Sequence, residues 1–244
     1  MPYMRRGALS LYYETKGSGD PLLLLPPGGM SATIDWWGQS AFNPMEIFSQ
    51  GYWTITLDQR NAGRSSGTLD AEDPWGSYAE DHLNLMNHLG AERFYVLGCC
   101  IGCSFALKLL ERAPQRVVAA VIEQPVGVSD ENRAVLSDNL SKRWAEELAV
   151  QRPEIARETI EQFRQRMFGE GDFVYSVTRD AVRSMSTPML VMPGVNLDHP
   201  TVIGREIHAL APHAEKIEDW RLPSDVVPGT VAHIRRFLAA HPLS

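Results

Sequence analysis

The feature that most restricts the fold is Gly98-Cys99-Cys100-Ile101-Gly102. An apolar run at residues 94–97 leads into it, and an apolar-periodic helix at residues 101–112 leads out. A chain passing from strand to helix in so few residues must turn sharply, which leaves the central residue, Cys100, in a strained conformation. Small residues on both sides let the helix pack against the strand. The central side chain then stands at a helix N-terminus, where the dipole favours negative charge. For a cysteine this lowers the thiol pKa and raises the thiolate fraction. Cys100 is therefore the candidate nucleophile.

The rest of the sequence alternates short apolar runs with helical periods. Residues 8–15 alternate as a half-buried strand, with Leu9, Leu11 and Tyr13 on one face. Gly17–Pro21 breaks that pattern, and the four leucines Leu22 to Leu25 follow, which suggests a hairpin feeding a buried strand. Residues 52–57 and 117–122 are further strands. Ser77 and Glu80 form a capping box for a helix that stops at Gly90. Residues 188–239 repeat strand, helix, strand, helix. Such alternation implies a mostly parallel sheet covered by helices on both faces. Residues 127–186 differ, being charged and helical without a convincing strand. The expected organisation is a core of residues 1–127 and 186–244 with a helical cap insertion at 128–185.

Composition excludes several classes. With 23 Lys+Arg against 30 Asp+Glu, the net charge is −7, and no basic run exceeds Arg5-Arg6. That is a poor nucleic-acid binder. No apolar stretch approaches the ~18 residues of a membrane span. The N-terminal residues read as a strand and not as a signal peptide. Three cysteines within five residues do not make a disulfide framework. A cytoplasmic protein is expected, acting on a small molecule, without nucleic acid or membrane as partner. Its size and charge are compatible with a homodimer. No metal-ligand cluster or phosphate-binding glycine loop is present, so no cofactor is expected.

Three motifs in order resemble the α/β-hydrolase superfamily, in its epoxide-hydrolase-like branch. The first is the Gly-x-Cys-x-Gly bend. The second is Asp58-Gln59-Arg60-Asn61-Ala62-Gly63-Arg64-Ser65, similar to the D-x-R-G-x-G-x-S segment of that branch. The third is the leucine run leading into Pro26-Pro27-Gly28-Gly29, where the branch usually has His-Gly. A cysteine at the elbow resembles dienelactone hydrolase. The resemblance implies an oxyanion hole made by the N–H of Ile101 and that of Gly28 or Gly29, since Pro27 has no N–H.

The resemblance also implies a histidine after the last strand, and residues 218–224 contain none. His233 falls inside the last helix and reads as a surface residue. His199, in the loop after strand 188–192, is the candidate base. Its neighbour Asp198 is poorly placed to orient it, because adjacent side chains diverge. Glu123, at the end of strand 117–122, is the candidate orienting acid. Cys99 and Cys103 read as packing residues, although Cys100-x-x-Cys103 also has redox spacing.

The expected chemistry is cleavage of an ester, thioester or lactone through an acyl-cysteine. Two alternatives stay open: a cofactor-free lyase, C–C cleavage or acyl-transfer enzyme on the same fold, and a small-molecule binding module with a damaged triad.

Overall fold

The computed structural model describes residues 2–169 and 171–243. The outer bounds of the expected core, residues 1 and 244, lie outside them. Eight strands form one sheet in the order β1-β2-β4-β3-β5-β6-β7-β8. They are β1 (Tyr3–Arg6), β2 (Leu9–Lys16), β3 (Asp20–Leu25), β4 (Tyr52–Leu57), β5 (Phe94–Cys99), β6 (Val117–Glu123), β7 (Met189–Met192) and β8 (Ala214–Lys216). β1 and β2 run antiparallel to their neighbours, and β3 to β8 are mutually parallel. The helices are α1 (Pro44–Phe48), α2 (Pro74–His88), α3 (Ile101–Arg112), α4 (Leu136–Gln151), α5 (Arg157–Phe168), α6 (Arg179–Ser184), α7 (Thr201–Leu210) and α8 (Val227–Ala239). This is the α/β-hydrolase fold that the sequence implied.

The leucines of β3 explain its central place. All four, Leu22 to Leu25, are completely buried, so both faces of the strand need cover, as in a parallel sheet. The expected hairpin between β2 and β3 does not form. β2 pairs with β1 and β4, and β3 lies between β4 and β5. The actual hairpin is β1–β2, turning at Gly7 with φ 57°. Helix α2 also begins earlier than the expected capping box. Asp73 caps it by accepting from the Gly76 N–H at 3.0 Å, and Pro74 opens it.

Helix α3 lies against β3, β5 and β6, and Gly102 sets how closely. A Cβ there would sit 2.1 Å from the Leu25 carbonyl oxygen, which is backbone and cannot swing aside. Gly102→Ala is expected to cost about 2–4 kcal/mol by prising α3 off β3. Denaturant unfolding at constant m-value measures this, and an unchanged midpoint would contradict it.

Among the described residues no strand lies between β6 and β7. There α4 packs on the Gly29–Ser31 turn and on α5, and α5 reaches α2. Helix α6 packs instead on α3 and α7, the helices that cover the sheet. Two indole N–H groups tie this segment to the core. Trp144 donates to the Asn61 carbonyl at 2.8 Å, and Trp75 donates to the Met167 carbonyl at 3.2 Å. Among the described residues no helix is long and apolar enough to cross a membrane.

Candidate active site

Cys100 occupies the bend between β5 and α3 with φ 59° and ψ −120°. This is left-handed backbone for a non-glycine residue, and it persists only where its surroundings enforce it. Three bonds do so: the Cys100 N–H donates to the Glu123 carbonyl at 3.0 Å, the Cys103 N–H donates to the Cys100 carbonyl at 3.1 Å, and the Cys103 thiol reaches the Gly98 carbonyl at 3.0 Å. The backbone N–H groups of Gly28, Ile101 and Gly29 lie close enough to the Cys100 thiol to favour its charged form. The proposed oxyanion donors therefore converge on one sulfur.

The loop holding Gly28 and Gly29 is braced from two directions. From below, Asp58 Oδ1 accepts from the Ile34 N–H at 2.9 Å and the Gln59 N–H donates to the Ala32 carbonyl at 3.0 Å. Asp58 is itself held by Arg64, Nε to Oδ2 2.6 Å. The Asp58–Ser65 motif is thus a scaffold for the turn that presents the N–H donors. From above, α4 rests on Gly29, which has φ 57° and whose added Cβ would lie 2.4 Å from the Leu140 carbonyl oxygen.

A cavity of about 500 Å³ opens over the thiol. Cys100, His199 and the glycine loop form one end. Trp36 and Ser40 come from the segment after that loop, and α4 contributes Leu140 and Trp144. The structure thus brings His199 to the same cavity as Cys100.

His199 is oriented by a residue that the sequence reading did not pick. Asn196 Oδ1 accepts from the His199 backbone N–H at 3.0 Å and sits 2.8 Å from His199 Nδ1. A backbone N–H can only donate, so the shared atom is an oxygen and Nδ1 must carry the proton. The lone pair then lies on Nε2, which is buried and has no hydrogen-bond partner in the protein. Burial pushes the His199 pKa down to about 4, Asp198 opposes this, and Arg221 reinforces it. The imidazole is neutral at physiological pH, in the tautomer a base needs. Asp198 accepts from Asn139 of α4 at 2.8 Å and does not touch the ring. The available signal was an Asn three residues before the histidine, a spacing at which an Asx side chain reaches back onto a following N–H.

Glu123 is corrected as the orienting acid. Its carboxyl is fully buried, and the Cys99 thiol donates to Oε1 at 3.6 Å, while Oε2 has no hydrogen-bond partner. The His199 ring nitrogen that an acid would hold is already taken by Asn196. Glu123 and Cys99 are register partners on β6 and β5, so the pleat aims their side chains to one side together. Burial raises the Glu123 pKa to about 8, against the Cys99 hydrogen bond and Arg221, which lower it.

That shift has a consequence for stability. An ordinary glutamate near 4.5 releases its proton well below the folded group. Between those two values the folded state holds a proton that the unfolded state has lost, so stability falls as pH rises from about 4.5 to about 8 and then levels. Glu123→Gln removes that slope. The variant should gain on the wild type by on the order of 3 kcal/mol between pH 5 and pH 8. Parallel pH dependences of Tm for the two proteins would disprove it.

The thiol pKa is also corrected. The helix terminus led to an expected depression, but burial pushes the Cys100 thiol up, and the Gly28, Ile101 and Gly29 N–H groups offset only part of that. Asp198 adds to the rise. Cys99 and Cys103 are pushed well up by burial too, and all three thiols are free. Cys99 and Cys103 are completely buried among strand and helix, as packing residues are. His233 lies at the surface, 3.3 Å from Glu215. The loop where the family's histidine is usual carries Arg221 instead, which donates to Gln124 Oε1. Among the described residues no group of three or more His, Cys, Asp or Glu is arranged to hold a metal.

The sequence pattern of the alpha/beta hydrolase fold family matches residues 21–173. The chain belongs to the α/β-hydrolase family. Relatives of this α/β-hydrolase include the protein named "Putative carbamate hydrolase RutD" of Azorhizobium caulinodans, 30% identical over 122 residues, which are 50% of this chain and 43% of that protein. Zearalenone hydrolase of Cladophialophora bantiana is 30% identical over 119 residues, 47% of this chain and 42% of that one. The chain thus spans less than half the length of these curated relatives. Among solved structures, the enol-lactonase from Burkholderia xenovorans superposes with a TM-score of 0.70 at 17% identity, covering 98% of this chain and all of that one. Est816, described as an N-acyl homoserine lactone degrading enzyme, gives 0.68 at 20% identity, with 96% and 99% covered. At such identities these likenesses show the fold.

Proposed function

We propose that the protein is a hydrolase that cleaves an ester, thioester or lactone of a small molecule through an acyl-cysteine on Cys100. One observation carries the reading. The strained cysteine, the glycine loop whose N–H groups lie beside its thiol, and a histidine with an unpartnered ring nitrogen line a single cavity. The hydrolase names among the curated relatives support it.

The resting pair is a neutral thiol and a neutral imidazole, since burial disfavours both charged forms. The sulfur therefore attacks as it loses its proton to His199 Nε2, in the manner of a serine hydrolase. Asn196 holds the ring and accepts from Nδ1–H throughout. In the resting state those three N–H groups face the thiol. As the C–S bond forms, the substrate oxygen takes over those donors, each worth about 3 kcal/mol in comparable sites. The imidazolium returns its proton to the leaving group. Water, deprotonated by the same nitrogen, then attacks the acyl carbon, releases the acid and restores the thiol. We read residues 128–185 as the cap of this site, with α4 as its roof.

The test is a panel of small aryl esters, thioesters and lactones, with both products quantified. The expected result is one equivalent of free acid per leaving group on at least one class. Carbon–carbon cleavage, or binding without turnover across the panel, would favour the lyase or binding-module alternatives.

A further inference from the structure

The cavity wall is electrically lopsided. Its charged side chains are Arg143, Glu147 and Asp198. Arg143 and Glu147 are one helical turn apart on α4 and bind each other, Nε to Oε1 2.7 Å. That pair cancels, which leaves Asp198, whose partner Asn139 is neutral. His199 adds no positive charge near neutral pH. Arg221, a further cation felt by the histidine, is not among the side chains that line the cavity and donates to Gln124 Oε1, which is. The charge on Asp198 is felt at the thiol itself.

The two large rings of the wall add a second restriction. Trp36 spends its indole N–H on the Ser31 carbonyl at 3.2 Å, and Trp144 spends its own on Asn61. Neither donor is free for a ligand, so both rings offer apolar surface.

We propose that this cavity selects small, uncharged acyl groups with an apolar body and rejects anionic ones, Asp198 being the discriminating residue. The inference rests on the acyl-cysteine reading and narrows its substrate class. A carboxylate on the acyl chain would enter a cavity whose one lining cation, Arg143, is already paired, and would face Asp198 in a partly desolvated space, where like charges repel strongly. A trimethylammonium group would meet no such barrier.

The test uses three p-nitrophenyl esters of equal acyl length, tipped by methyl, carboxylate or trimethylammonium. The wild type should turn over the methyl ester with a kcat/KM about tenfold or more above the carboxylate ester. The gap should narrow on moving from low salt to about 0.5 M salt. Asp198→Asn should narrow it as well, and so should Glu147→Gln, which frees Arg143. A carboxylate ester turned over as fast as the methyl ester, or a ratio indifferent to both substitutions, overturns the proposal. Calorimetry of the three matching anilides with Cys100→Ala reads the same preference without turnover. Charge-blind binding there sinks the selectivity, whereas hydrolysis persisting in Cys100→Ala sinks the nucleophile and leaves the selectivity standing.

Discussion

Replacing Cys100 by alanine is expected to lower kcat/KM by about 10⁴-fold or more, the scale on which nucleophile deletions act in enzymes of this kind. The side chain is deleted, but the site around it is not. Gly28 and Gly29 keep their N–H groups in place because Asp58 and α4 hold that loop, not the sulfur, and Ile101 is held as the first residue of α3. The residual rate should therefore be the small acceleration those donors give alone. Alanine tolerates the bend no worse than cysteine does, since the glycines on either side provide the clearance. Steady-state kinetics with an unfolding curve as control distinguishes the two effects. A variant that keeps even a tenth of the activity would rule Cys100 out as nucleophile.

The second large effect is at His199. His199→Ala should lose about 10²–10⁴-fold in kcat/KM, the usual contribution of a positioned general base. Its pH profile should also change form. In the wild type the base is competent when neutral, and its pKa is pushed down to about 4, so activity should hold from neutral pH to about 5 and fall below about 4. In the variant no base remains, and the reaction must wait for spontaneous thiolate. Because burial raises the thiol pKa, the variant's rate should climb about tenfold per pH unit through the neutral range. Asn196→Ala should fall between the two, with a smaller loss and an acid limb that moves as the ring loses its fixed tautomer. A wild-type acid limb near 6.5, or a variant flat with pH, would contradict this assignment.

What the sequence disclosed and what it hid follow a physical division. The glycines of the elbow, the leucines of β3 and the Asp58–Ser65 segment were legible because each is a local demand. A close approach, a doubly buried strand or a braced turn admits few residue types. Cys100 could be named from such a demand, whereas Gly28, Gly29 and Ile101 were named from the resemblance to the α/β-hydrolases; their N–H groups lie around the Cys100 thiol. The partner of β2 was hidden because strand pairing depends on which element reaches an edge first, not on the strand's own residues. The orienting group of His199 was hidden for a related reason. The sequence points to an acid on a distant strand, while Asn196 holds the ring from three residues away with a neutral amide. The thiol pKa was misjudged because a helix N-terminus can be read from sequence and burial cannot. Here burial is the larger effect. Glu123 was correctly placed at a strand end, but the pleat that pairs it with Cys99 turns it from the cavity.

The fold also suits the proposed base to a site without the family's usual histidine. The loop after β7 is tied down at both ends, with Asn132 Nδ2 on the Leu197 carbonyl at 2.8 Å and Thr201 Oγ1 on the Gly194 carbonyl at 2.7 Å. On so constrained a loop the His199 ring keeps its place with Asn196 as partner and without a carboxylate.

The most direct measurement is intact-protein mass spectrometry during turnover of an aryl ester quenched in acid, followed by peptide mapping. The account predicts a mass increase equal to one acyl group, carried by the peptide containing Cys100 and absent from Cys100→Ala. Acylation at any other residue, or steady turnover with an unmodified Cys100 under single-turnover quench, would contradict it.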